Sequence, residues 1–148
     1  MEIRRAESSD IDALVSFNQA MALETENKQL DANVLLAGVS AVFADESKGF
    51  YVVASISDTI AAGLMITYEW SDWRNAWFWW IQSVYVLPQH RGQAIYGKMY
   101  EFVKQLAEES GNVCGIRLYV EKDNVRAQRV YERTGMQISH YLMYEEHK

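Results

Sequence analysis

The spacing of apolar positions changes several times along the chain, and each change marks an element. Residues 1–6 (MEIRRA) are β-prone and short. Ser9 then stands as an N-cap with Asp12 three residues on, and Ile11, Leu14, Val15, Asn18 and Ala22 follow at helical spacing, which predicts a helix to about residue 22. Glu24, Thr25, Glu26, Asn27 and Lys28 carry no apolar stripe and read as an acidic loop. Asp31 caps a second helix with Leu35, Val39, Val42 and Phe43 on one face. The pattern then turns β-rich over 50–56 and 59–70, parted by Ser57 and Asp58 as a hairpin turn, and again over 76–87 after the polar stretch 71–75. Along that third run Trp77 and Trp79 alternate with Phe78 and Trp80, so the strand is aromatic on both faces and is expected to be covered on both.

Helical spacing returns at Ile95, Met99, Phe102, Val103 and Leu106, and Gly111 ends this helix. Residues 115–121 (GIRLYVE) alternate Ile116, Leu118 and Val120 as a fifth strand. Asn124 caps a last helix carrying Ala127, Val130 and Tyr131, closed by Gly135, and a final strand is expected over 137–145. The predicted order is βααβββαβαβ. There is no linker or repeat, so 1–148 reads as one domain.

The stretch with the most specific chemistry is 84–97, VYVLPQHRGQAIYG. It reads as a strand, a tight turn and a helix start. The first N–H groups of a helix lack intrahelical partners and sit at the positive end of its dipole, so a phosphate or pyrophosphate is a natural ligand there. Gly92 and the small Ala94 allow close approach, and Arg91 can add a guanidinium. An ordinary strand-to-helix turn is the plainer alternative.

Composition narrows the classes. The 148 residues are 49% hydrophobic and 23% charged, as in a soluble globular chain. No apolar run approaches the roughly 20 residues of a membrane span, and MEIRRAESSD lacks the apolar core of a signal peptide. A cytoplasmic protein with no membrane partner is expected. The net charge of -6 argues against nucleic acid and suits a cationic small molecule. Cys114 is the single cysteine and reads as a buried structural thiol, and His90, His140 and His147 are too scattered for a metal site.

Gln89, His90, Arg91, Gly92, Gln93 and Ala94 resemble the Q/R-x-x-G-x-G/A signature of the GNAT acetyltransferase superfamily, with Val86 and Pro88 also matching. Further on, LYVEKDNVRAQRVYERTGM over 118–136 resembles the family's N-x-x-A-x-x-x-Y-x-x-x-G-F block, through Asn124, Ala127, Tyr131 and Gly135, with Met136 in place of Phe. The resemblance implies an α/β (α+β) fold: a mixed, mostly antiparallel twisted sheet with helices on both faces, opened where the fourth and fifth strands part. It also implies acetyl-coenzyme A as cosubstrate and no metal. The turn from Gln89 through Ile95, Tyr96 and Gly97 would hold the pyrophosphate, Val84, Tyr85 and Val86 would give main-chain hydrogen bonds to pantetheine, and Asn124 and Tyr131 would complete the site.

In two places the chain departs from the family. Tyr96 stands where relatives often have Gly, and Gln82 replaces a carboxylate that serves many of them as general base; an amide cannot do so. The resemblance implies transfer of acetyl to a primary amine by direct attack on the thioester, with Tyr131 as acid to the leaving thiolate. Candidate bases are Glu24, Glu26 and Glu69. A small cationic amine is the expected acceptor, bound by the acidic loop at Glu24 and Glu26. A non-catalytic acyl-coenzyme A sensor, or a protein or peptide N-acetyltransferase, are the alternatives, and a homodimer is open.

Overall fold

The computed structural model describes residues 1–148. Its elements run β1 (Glu2–Arg5), α1 (Ile11–Glu26), α2 (Ala32–Ala44), β2 (Phe50–Ile56), β3 (Thr59–Ser71), β4 (Ala76–Val86), α3 (Ile95–Ser110), β5 (Val113–Arg117) and α4 (Val125–Arg133). The strands form one sheet in chain order, antiparallel except for the parallel pair β4 and β5. Ser57 and Asp58 both take left-handed φ, 51° and 64°, as a two-residue turn must to match the twist of the β2–β3 hairpin.

Each sheet face is covered by different helices. On one, Val52, Leu64, Ile66, Trp79 and Ile81 pack with Ile95, Met99 and Val103 of α3, and Val130, Tyr131 and Met136 close the edge of this cluster. On the other, Tyr51, Val53 and Tyr85 pack with Leu14 and Phe17 of α1 and Val39 of α2. Trp77 and Trp79 do face away from Phe78 and Trp80, but the α1–α2 pair reaches only part of the sheet. No helix is long and apolar enough to cross a membrane.

Several expectations are corrected. The first helix continues to Glu26 and stops at Asn27 (φ 49°), so Glu24 and Glu26 are helical. A missing apolar stripe meant exposure there rather than a loop, and Gln19 secures the turn that follows by pairing with both Leu30 N–H and Leu30 C=O. Ser9 is not a cap, because it lies in a 3-10 turn over Ser8–Asp10, where Asp10 turns inward instead. Cys114 is exposed because β5 is an edge strand. The fifth strand stops at Arg117, and no strand forms over 137–145.

Asp31 and Asn124 cap as expected, accepting from Asn33 and Val34 N–H and from Ala127 N–H respectively. The buried charged residue of the fold is Asp10, only 4% exposed. It accepts from Arg4 at 2.8 and 3.1 Å and from Glu7 N–H at 2.7 Å, joining β1 to the start of α1. Burial by itself would raise the Asp10 carboxyl, but these donors outweigh it and hold it below its ordinary 3.8. Its contribution is therefore present above that value and fades as the pH falls through the lower folded one. Arg4→Met, which strands the buried carboxylate, is expected to cost about 3 kcal/mol in urea denaturation at neutral pH. The loss should shrink once Asp10 is protonated in both proteins.

Candidate active site

The site begins with an irregularity in β4. Between Gly63–Tyr85 and Met65–Gln82 the register slips, and Ser83 takes a left-handed φ of 53°. The extra residue reverses the alternation of the strand. Before it, Phe78, Trp80 and Gln82 face the α1–α2 side; beyond it, Tyr85 does, and Val84 and Val86 turn toward α3. The last pair between β4 and β5 is Trp80–Arg117, after which β4 has no neighbour on that edge. Val84, Tyr85 and Val86 thus lie on an open edge, with the Val86 carbonyl accepting from Arg91 Nε at 2.9 Å.

The turn that follows leaves a run of backbone N–H groups free. Pro88–His90 make a 3-10 turn, Gly92 has φ 81°, and Ala94 caps α3 from a left-handed conformation, φ 58°. Arg91 N–H is the last amide satisfied within the turn and Lys98 N–H the first to bond back into the helix, to Ala94. From Gly92 to Gly97 the backbone N–H groups have no protein acceptor, main-chain or side-chain. Gln93, Ala94, Ile95 and Tyr96 therefore present free amides, while Ile95 and Tyr96 bury their side chains in the core. Tyr96 does not crowd the turn. Arg91 folds back over the Tyr85 ring, 5.3 Å from its centroid, and Gln89 stays exposed.

Glu24, at the end of α1, reaches the same place. Its carboxylate accepts from Arg91 at 2.9 Å and from Tyr85 Oη at 2.8 Å, two residues remote in sequence. The Arg91 hydrogen bond, and after it that of Tyr85, hold Glu24 below the usual carboxylate range. Burial and then the Glu24 bond push the Tyr85 hydroxyl up. Glu26 lies two residues on, exposed and without an ion pair.

Across the opening, α4 brings Tyr131 against Tyr96, edge to face, with centroids 5.5 Å apart. Burial raises the Tyr131 hydroxyl, so it stays protonated across the physiological range. The Tyr96 hydroxyl is buried with no hydrogen-bond partner. Asn124 spends its carbonyl on the α4 cap. Gln82 donates to Thr67 Oγ1 at 2.6 Å.

The uncovered part of the α1–α2 sheet face carries a cluster legible only in part beforehand. Glu69 accepts from Trp80 Nε1 at 2.8 Å and from Arg117 at 3.0 Å, and Tyr119 packs on Trp80. Arg117 lies 3.5 Å above the Phe78 ring, while a Cβ at Gly115 would stand 2.7 Å from that ring. Trp80 and Glu69 were recognisable as residues of interest, but Arg117 and Tyr119 had no signal, since their role depends on β5 lying beside β4. No cluster of residues able to hold a metal is present.

A side chain at Gly92 would meet no protein atom within 4 Å. Gly92→Glu should therefore fold with only about 1 kcal/mol of backbone strain, yet lower affinity for coenzyme A by about tenfold or more, ~1.4 kcal/mol, through the intruding charge. Calorimetric titration checks this, and unchanged affinity would remove the turn from the binding site.

A family model described as Acetyltransferase (GNAT) family matches residues 13–136. Searched by sequence, the curated proteins give no significant match. Among solved structures, a possible acetyltransferase from Clostridium difficile 630 is 45% identical, with TM-score 0.93 over 99% of this chain and 97% of that one. A predicted acetyltransferase with acetyl-CoA from Clostridium acetobutylicum shares the fold at 20% identity, TM-score 0.79, over 98% and 95%. So does AAC(6')-Iy in complex with the bisubstrate analogue CoA-S-monomethyl-acetylneamine, at 11% identity, TM-score 0.78, over 99% and 97%. The match over most of the sequence, and the near-identical fold of a relative sharing almost half its residues, place this chain in the GNAT acetyltransferase family.

Proposed function

We propose that the protein is an acetyl-coenzyme A dependent N-acetyltransferase acting on a small cationic amine in the cytoplasm. The observation that carries this reading is the run of unpartnered backbone N–H groups from Gly92 to Gly97, set directly after the open edge of β4. The first suits a pyrophosphate, the second an amide-bearing pantetheine arm that hydrogen-bonds like a strand. Acetyl-coenzyme A supplies an activated thioester. Everything else falls to this chain's side chains.

Tyr131 is the acid in this reading, kept protonated by burial on the side of the opening away from α1. Glu24 has a different task from that of a base. Its low pKa makes it a weak proton acceptor, and Arg91 already neutralises its charge. It fixes Arg91 and Tyr85 beside the turn. Glu69 is also ion-paired, with Arg117 at 3.0 Å, but both its hydrogen bonds fall on one oxygen, whereas both oxygens of Glu24 are taken. The free oxygen of Glu69, beside the Trp80 and Tyr119 rings, is the better place for the acceptor's positive charge. Glu26, exposed at the end of α1, can add a more distant field. A non-catalytic acyl-coenzyme A sensor is the second reading, favoured by the amide of Gln82 locked to Thr67 where relatives carry a base.

Release of thiol from acetyl-coenzyme A across a panel of amines separates the two readings: an enzyme turns over with some amine, a sensor binds without turnover. Tyr131→Phe should lower kcat by roughly 10²-fold and leave coenzyme affinity within a few fold. In the wild type the alkaline loss of activity due to Tyr131 should lie above the ordinary tyrosine value of 10.0. A kcat equal to wild type assigns the proton to another donor. Glu69→Gln should raise KM for a cationic amine about tenfold, ~1.4 kcal/mol, with the coenzyme KM unchanged, whereas Glu24→Gln should weaken coenzyme binding. The reverse result returns the acceptor to the end of α1.

A further inference from the structure

Among the buried side-chain polar atoms, the Tyr96 hydroxyl is the one left without a hydrogen-bond partner. An unpaired buried donor costs free energy in every folded molecule. A phenylalanine would fill the same space without that cost, yet the hydroxyl is kept, at a position where the chain also departs from its family's signature. It has a use if an acceptor arises beside it during the reaction. Its surroundings narrow the choice. The Tyr96 side chain is 9% exposed in the core beneath α3, where its ring stacks on Tyr100 and stands edge to face against Tyr131, with centroids 6.1 and 5.5 Å away. Tyr131 is half-buried on α4, and its hydroxyl is not sealed in as that of Tyr96 is.

Of this pair, the proton that moves in the proposed reaction is that of Tyr131. The leaving thiolate of coenzyme A takes it: a bond forms from sulfur to hydrogen, the Tyr131 O–H bond breaks, and its electron pair stays on the phenolate oxygen. The proton shed by the attacking nitrogen balances the one that Tyr131 supplies. An ordinary thiol has a pKa of about 8.5, whereas burial holds Tyr131 above 10.0, so the transfer is uphill by more than about tenfold. A hydrogen bond donated to the phenolate offsets that deficit. Burial, then the nearness of Tyr131 and of Tyr100, push the Tyr96 hydroxyl up, so it keeps its own proton and remains a donor.

We propose that Tyr96 is a positioning residue for the acetyl transfer: its orphaned hydroxyl donates to the Tyr131 oxygen once that oxygen has lost its proton to the thiolate. The inference rests on the reading of Tyr131 as the acid. Because the bond is made only as charge develops on Tyr131, it lowers the barrier without tightening the binding of either substrate. The donor is already enclosed, and so has no water to shed when the charge appears.

Tyr96→Phe keeps the ring and removes the hydroxyl. With the amine that turns over fastest in the panel, its kcat should fall about tenfold, with both KM values within about twofold of wild type. Its thermal midpoint should hold or rise, since an unpaired buried group is gone. In a Tyr131→Phe background the same substitution should change kcat by less than about twofold, because the phenolate it serves no longer forms. A wild-type kcat for Tyr96→Phe beside a slow Tyr131→Phe overturns the inference and leaves Tyr131 as the acid. So does a loss that persists in full in the Tyr131→Phe background, or one accompanied by a fall in the thermal midpoint. A loss confined to the coenzyme KM overturns it too, by placing the acceptor on the coenzyme. If Tyr131→Phe is itself as fast as wild type, or no amine turns over, the reading beneath fails and this inference falls with it.

Discussion

The bulge at Ser83 is the constraint on which the site depends. A regular β4 would present Trp80, Gln82, Val84 and Val86 to one face of the sheet along its whole length. One extra residue reverses that phase, so Tyr85 packs under α1 while Val84 and Val86 join the core beneath α3. Tyr85 can then bond to Glu24, and Glu24 to Arg91, which ties the end of α1 to the turn before α3. Because β5 has already parted from β4 at Trp80, the bulged segment also keeps a free edge. A local cost, a non-glycine residue in left-handed conformation, thereby organises three distant elements.

Other local costs cluster nearby. Ala94 takes a left-handed φ, the amides from Gly92 to Gly97 lack protein partners, and the Tyr96 hydroxyl is buried without a hydrogen bond. Each departs from what stability alone would select. By contrast the polar group buried at the far side, Asp10, is fully engaged by Arg4 and Glu7. Unsatisfied groups concentrated at one end of β4, with satisfied ones elsewhere, are what a site that binds a polar ligand requires. Both oxygens of Glu24 are taken, by Tyr85 and Arg91, whereas Arg117 and Trp80 share one oxygen of Glu69, so the carboxylate left with a free oxygen is the one beside two aromatic rings on the uncovered face.

The sequence by itself determined the local elements and the turn. Apolar period, the caps at Asp31 and Asn124, the paired left-handed residues at Ser57 and Asp58, and the signature from Gln89 to Ala94 depend on neighbours within a few positions. Family membership was legible for the same reason, since both signature blocks are short and contiguous. Only tertiary structure decided what depends on residues far apart in the chain. Nothing near Glu24 in sequence announces that Arg91 will claim its carboxylate, and nothing around Ser83 announces a bulge, because an inserted residue shows only against a partner strand. Residues 137–145 make the point most plainly. Their alternation is that of a strand, but alternation says nothing of which edge a segment pairs with, and here those bonds are not made although β5 keeps an unpaired edge.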